Sequence, residues 1–253
     1  MNIDRTTVAL VTGAAGGIGA ATTARLRNAG ATVIAADLAG ADVGLDVTDL
    51  AKARATVDGI VAAHGRLDLL VACAGIGIAG LVEELDDTAW DRSIAVNLTG
   101  TINTVRAAYD VMRPASRGQL VAVASLSGLL PTPLLTSYAT TKGGVVSFMT
   151  SLRPEAARHG IGATAICPGP VDTGLLDVGG AGGIDVRRYL TNAAGPAIAP
   201  TAVADAIMAG IRRNRAIVVP KRARVLHLAA RLSPGTTERV LTHFMKRELA
   251  HRA

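Results

Sequence analysis

The feature that most limits what this chain can become is a glycine-rich turn, Thr12-Gly13-Ala14-Ala15-Gly16-Gly17-Ile18-Gly19. It lies between an unbroken apolar run at Val8–Thr12 and a helix-like segment at Gly17–Asn28. A strand without polar alternation is buried on both faces, and such strands belong to parallel sheets covered by helices. The same alternation continues down the chain. Further strands are predicted at residues 32–36, 67–73, 119–124, 162–166 and 216–219. Helices are predicted at Leu50–His64, about 88–113, 137–158 and 201–213. Only eight residues, LAGADVGL, separate Asp37 from Asp46, too few for a crossover helix, so a loop, a single turn or a short strand is expected there. Pro154 should kink its helix or break it after Arg153.

About seven strands with helices between them predict an α/β protein: a single doubly wound, Rossmann-type domain with a parallel sheet over residues 1–220. A basic helical tail is expected over 221–253. Residues 174–199 hold six glycines without a steady period, which predicts a mobile flap covering a site. In the tail, Val225, Leu228 and Leu232 fall at i, i+3 and i+7. After Ser233-Pro234-Gly235, a second apolar face follows from Val240, Phe244, Met245 and Leu249. The net charge of +6 is concentrated there. Residues 1–210 carry 15 Lys/Arg against 18 Asp/Glu, net −3, while 211–253 carry 11 against 2, net +9. Such a tail either docks on its own domain or a sister subunit, the favoured reading, or lies on an anionic membrane surface.

Composition removes other classes. Aromatic residues are only 2% of the chain, too few for a base-stacking surface, and the basic tail carries no base-reading motif, so nucleic acid is not an expected partner. Two cysteines, Cys73 and Cys167, cannot make a disulfide framework, and no Cys/His spacing suits a metal, so none is expected. The N-terminus lacks a signal-peptide pattern and no stretch has the apolar length of a spanning helix. The expected location is cytoplasmic, or peripheral to a membrane through the tail.

The chemistry is written in three places. A glycine turn that opens a helix lets a pyrophosphate approach the backbone, where unpaired N–H groups and the helix dipole receive it. Asp37, 18 residues beyond Gly19, ends the second strand, where a carboxylate accepts hydrogen bonds from a ribose. Neither Ala15 nor Leu38 offers a cation for a 2′-phosphate, which favours NAD over NADP. Tyr138 and Lys142 stand at i and i+4 on one helix face, where an ammonium should lower the phenol pKa toward the range of a working acid/base.

Over residues 6 to about 220 the chain resembles the short-chain dehydrogenase/reductase family. The resemblance rests on TGAAGGIG, Asp37, Asp46-Val47, ACAG at 72–75, Asn97 in NLTG, Ser125 in ASLSG, YATTK at 138–142 and PGPVDT at 168–173. It implies hydride transfer between a secondary alcohol or ketone and NAD(H) by a Ser-Tyr-Lys-Asn mechanism. Tyr138 would exchange the proton, Ser125 hold the substrate oxygen, Lys142 bind the nicotinamide ribose and Asn97 hold a water. It further implies cofactor contacts from Gly13, Ala15, Gly17, Ile18, Gly19, Asp37, Asp46, Val47, Ala74 and Gly75, and, beside the nicotinamide, from Pro168, Gly169, Val171 and Thr173. A homo-oligomer, tetramer or dimer, is also implied. Ala72-Cys73 departs from the family's Asn-Asn, so packing must brace those strands. Substrate-pocket candidates are Leu126, Leu129, Leu134, Leu135, Leu175, Leu176 and Tyr189, which suit a hydrophobic or alicyclic small molecule; Arg187 and Arg188 leave an anionic one open. The competing class is a nicotinamide-binding regulatory or scaffold protein with little turnover.

Overall fold

The computed structural model describes residues 1–252, apart from the side chain of Arg222. Seven parallel strands form one sheet: β1 (Val8–Thr12), β2 (Thr32–Asp37), β3 (Val43–Gly44), β4 (Leu69–Ala72), β5 (Gly118–Val123), β6 (Ile161–Ile166) and β7 (Ile217–Val218). Their spatial order is β3-β2-β1-β4-β5-β6-β7, so the winding reverses between β1 and β4 and opens a crevice at the strands' carboxyl ends. Side chains alternate between two apolar layers. Val8, Leu10, Leu70, Ala72, Leu120 and Ala122 face one core, together with α2 (Leu50–His64), α4 (Gly100–Met112) and α5 (Thr136–Ala157). Ala9, Val11, Leu69, Val71, Val121 and Val123 face the other, against α1 (Gly17–Asn28) and α7 (Pro200–Arg213).

The eight residues after Asp37 form a turn and the short edge strand β3 in place of a helix. Asp42 fixes this connection: its Oδ2 accepts from the Ala35 N–H at 2.9 Å and from Arg27 at 2.7 Å. β4 begins two residues later than the apolar run suggested, because Asp68 turns inward and its Oδ2 accepts from the Val8 N–H at 3.0 Å. The helix expected over 88–113 is resolved into α3 (Asp87–Ser93), a π-helical segment Ile94–Thr99 and α4. α5 runs through Pro154 to Ala157, so the proline falls in the last turn.

The tract predicted as an irregular flap contains 3₁₀ turns at Gly174–Asp177 and Ala181–Gly183, then a regular helix, α6 (Val186–Ala194). Asp185 caps α6 by accepting from the Arg188 N–H at 2.8 Å. Its Val186 and Tyr189 are buried in a third apolar cluster with Leu134, Leu135, Tyr138 and Leu176. The tail forms two helices, α8 (Lys221–Leu232) and α9 (Pro234–Leu249). α9 docks on this same chain: Phe244, Met245 and Leu249 pack on the third cluster, and buried Glu248 pairs with Arg188 at 2.7 Å. Among the described residues no helix is long and apolar enough to cross a membrane.

Leu120 is fully buried at the centre of the sheet, whereas Leu38 is 73% exposed. Leu120→Ala should therefore lower unfolding free energy by about 2–5 kcal/mol, and Leu38→Ala by less than about 0.5 kcal/mol, both read by urea denaturation.

Candidate active site

The crevice is shaped first by backbone proximity. Gly13 adopts φ +66°, and a Cβ there would lie 2.5 Å from the Ala74 nitrogen at the end of β4. A Cβ on Gly19 would fall 2.0 Å from the Gly13 carbonyl oxygen. Only glycines let the turn, the start of α1 and the end of β4 approach this closely. No side chain caps α1 at Gly16, which leaves its first-turn N–H groups open to an anion. These features fit a dinucleotide pyrophosphate. Asp37 at the tip of β2 accepts from the Ala15 N–H at 2.9 Å and the Leu38 N–H at 2.7 Å, which ties the turn to the neighbouring strand.

Gly13, Gly17, Ile18, Gly19, Asp37, Asp46, Val47, Ala74, Gly75 and Thr173 all line one long groove here. Ala15 stays outside its wall and contributes its N–H to Asp37. Asp46 accepts from the Thr48 N–H and hydroxyl at 2.9 and 2.8 Å, and these bonds hold its carboxyl below the usual range. Arg92 of α3, which no motif marked, is the one Lys or Arg of the groove wall among the described residues.

The groove runs into an apolar cavity, and the two share Ile18, Cys73, Gly75, Thr173 and Leu175. Ser125, Tyr138 and Lys142 line this cavity, with Pro168, Gly169 and Val171 on its wall. Ser125 follows β5, and its Oγ accepts from the Ser127 N–H at 3.1 Å. Tyr138 and Lys142 stand one turn apart on α5, with the Lys142 Nζ 5.7 Å from the Tyr138 ring centroid. That ammonium donates to the Val123 carbonyl at 2.9 Å. Asn97 is fully buried in the π-helical segment. Its Oδ1 accepts from the Ile76 N–H at 2.8 Å and its Nδ2 donates to the Ile76 carbonyl at 3.0 Å. Asn97 and Lys142 converge on Gly75, where a Cβ would sit 3.0 Å from Asn97 Oδ1 and 3.3 Å from Lys142 Nζ.

The expectation of an acidified phenol is not met. Burial dominates and pushes Tyr138 up to about 12, with hydrogen bonding to Ser125 pulling the other way. Burial likewise pushes Lys142 down to about 8, opposed by the neighbouring thiols of Cys73 and Cys167. Removing both groups from water penalises phenolate and ammonium alike, and the spacing of one helical turn does not outweigh that penalty.

Of the predicted pocket residues, Leu126, Leu175, Leu176 and Tyr189 line the cavity. Leu129, Leu134 and Leu135 do not. Leu129 packs on the main core, while Leu134 and Leu135 are buried in the third cluster and Leu134 takes φ +64°. Arg187 is held by Asp172 and Asp177 at 2.7 and 2.8 Å, and Arg188 by Glu248, so both guanidinium groups are already paired. Leu130, Leu190 and Leu241 complete the apolar wall. Leu241 arrives from α9 and takes the buried place that the tail's spacing had given to Val240, which is 45% exposed; no local signal tied it to the cavity.

Comparison with known proteins agrees with this geometry. Residues 7–179 match the sequence family described as short chain dehydrogenase. The 3-oxoacyl-[acyl-carrier-protein] reductase FabG of Thermotoga maritima is 33% identical over 187 residues, covering 67% of this chain and 76% of that protein. The cis-4-hydroxycyclohexanecarboxylate dehydrogenase of Sinomonas cyclohexanicum is 39% identical over 186 residues, covering 67% and 75%. The crystal structure of gox2181 superimposes with a TM-score of 0.76 at 29% identity, covering 87% of this chain and 96% of that one.

The depressed Lys142 pKa has a measurable consequence. Between about 8 and the ordinary 10.5 the folded protein holds fewer protons on this group than the unfolded chain, so its contribution to stability rises with pH. The buried thiols of Cys73 and Cys167, raised from 9.0 to about 12, oppose this from about pH 9, and Tyr138 does so above pH 10; a comparison with a Lys142 variant that keeps all three isolates the lysine. From pH 8 to 10 the native protein should gain stability relative to Lys142→Met, measured by urea unfolding of the two side by side.

Proposed function

This chain belongs to the short-chain dehydrogenase family, and from that premise we propose an NAD(H)-dependent oxidoreductase that interconverts a secondary alcohol and its ketone, with a hydrophobic or alicyclic substrate. The observation that carries this reading is the placement of Ser125 and Tyr138 in the wall of an apolar cavity that opens directly into the dinucleotide groove. The groove would hold the cofactor by the open N-terminus of α1 at the pyrophosphate and Asp37 at the adenosine ribose. Bound there, the nicotinamide supplies the hydride acceptor or donor.

The chain's own residues handle the oxygen. In oxidation, Tyr138 Oη removes the proton of the substrate hydroxyl; in reduction it returns one to the forming alkoxide. The Ser125 hydroxyl donates to the same oxygen and holds it in place while charge develops. Lys142, kept beside Tyr138 by the Val123 carbonyl, supplies positive charge against the phenolate and a donor for the nicotinamide ribose. Asn97, clamped to the Ile76 backbone, fixes the segment that carries Gly75 and holds a water on the Lys142 side.

Asp37 supports NAD: a 2′-phosphate would bring like charge against its carboxylate, and Ala15 and Leu38 beside it are uncharged. The leucine wall supports an apolar substrate, and the 39% identity to a cis-4-hydroxycyclohexanecarboxylate dehydrogenase supports an alicyclic ring. The paired state of Arg187 and Arg188 leaves neither guanidinium free for an anionic group. Assembly into a dimer or tetramer and a cytoplasmic location belong to the same proposal.

Tyr138→Phe should cut kcat by about 10²–10⁴-fold while NADH still binds, as read by cofactor fluorescence; unchanged turnover would remove the proposed acid/base. Asp37→Ala should raise the KM for NAD about tenfold or more and narrow the preference over NADP. In a panel at fixed NAD, cyclic secondary alcohols should turn over faster than small charged hydroxy acids, and the reverse order refutes the substrate class.

A further inference from the structure

The tail solves its apolar burial unequally. α9 covers Leu241, Phe244, Met245 and Leu249 against the body, but α8 turns its larger apolar residues outward. Val225 is 70% exposed, Leu228 50% and Leu232 86%. They form one stripe at i, i+3 and i+7, while Ala223 and Leu226 face the core. Exposed Lys221, Arg224 and Arg231 lie along the stripe, and α8 has four Lys/Arg and no Asp/Glu. Of the two carboxylates in the +9 segment, Glu248 is buried against Arg188 and leaves Glu238 as the exposed one.

We propose that α8 is a docking helix for an anionic lipid surface, with Val225, Leu228 and Leu232 entering the interface and Lys221, Arg224 and Arg231 meeting the headgroups. Charge selects this occupant. In a two-fold pairing of α8 with a second copy, the basic borders of the two stripes would face each other with no carboxylate on either helix to compensate. A bilayer supplies both needs at once, hydrocarbon for the stripe and negative charge for its margins, and long basic side chains reach headgroups while their stems stay in apolar surroundings. The helical pair that carries this face also supplies Leu241 to the apolar cavity, so docking places the catalytic domain against a phase in which apolar alcohols and ketones concentrate.

Co-sedimentation of the full chain with phosphatidylcholine vesicles, and with vesicles containing 30 mol% phosphatidylglycerol (about one lipid in three, to expose the charge dependence), tests the proposal. The native protein should pellet with the anionic vesicles and much less with the neutral ones. Leu228→Glu/Leu232→Glu should weaken partitioning at least tenfold, and Arg224→Gln/Arg231→Gln should weaken it by about fivefold per charge removed. Circular dichroism and NADH binding should be unchanged in both, since these side chains are exposed and outside the catalytic cavity. Equal partitioning of native and Leu228→Glu/Leu232→Glu protein overturns the proposal. So does absence of binding to anionic vesicles, whether or not sedimentation velocity reveals a self-association or protein complex that the leucine variant abolishes.

Discussion

Everything functional in this molecule hangs from the reversal of strand order between β1 and β4. Strands wound outward in both directions leave their carboxyl ends facing a gap that no crossover helix can fill. The chain uses it by placing the Gly13 turn on one rim, Ser125 after β5 on the other and Gly75 between them. The pinch where Gly13 meets Ala74 holds the glycine turn against the chain leaving β4. The sheet therefore sets the site's geometry before any catalytic side chain is considered.

Within that gap, the cost of burying charge decides how the reactive groups behave. A carbonyl from Val123 holds the Lys142 ammonium, and two thiols stand near it, but among the described residues no carboxylate pairs with it. Burial thus keeps the phenol protonated and pushes the ammonium toward losing its proton. Such an arrangement is poised rather than relaxed: ligand charge entering the groove shifts both groups more than it would in water, because the surrounding dielectric is low.

The parts of this organisation that were legible in the sequence are those encoded by contiguous residues. Strand runs, the glycine turn, Asp37 and the Tyr138/Lys142 pair each need only local spacing, and the structure places them as that spacing requires. Where reading failed, tertiary forces had intervened. α6 hides behind a cluster of glycines because its nine residues have helical periodicity only when taken apart from the glycine-rich stretch preceding them. Leu134 and Leu135 looked like pocket residues by proximity in sequence to Tyr138, but they turn away into the third cluster. Leu241 became part of the cavity because α9 folds back across α6, a contact between residues about fifty positions apart. The pKa expectation failed for a related reason: periodicity reveals who the neighbours are, whereas solvent exclusion is a property of the whole fold.

The π-helical segment Ile94–Thr99 bears on which length changes this lineage can tolerate. There the Gly100 N–H reaches the Ala95 carbonyl five residues back, so the helix carries in effect one residue more than a regular path requires. Loss of a single codon from this stretch would let it relax to ordinary winding. Because the wide turn absorbs the extra residue, α3 and α4 would keep their faces, whereas the same loss inside a regular helix would rotate everything upstream by about 100°. What the deletion would disturb is the widened backbone that carries Asn97. A one-residue loss there would be absorbed locally, and its effect would fall on Asn97 and on the Ile76 backbone that Asn97 clamps.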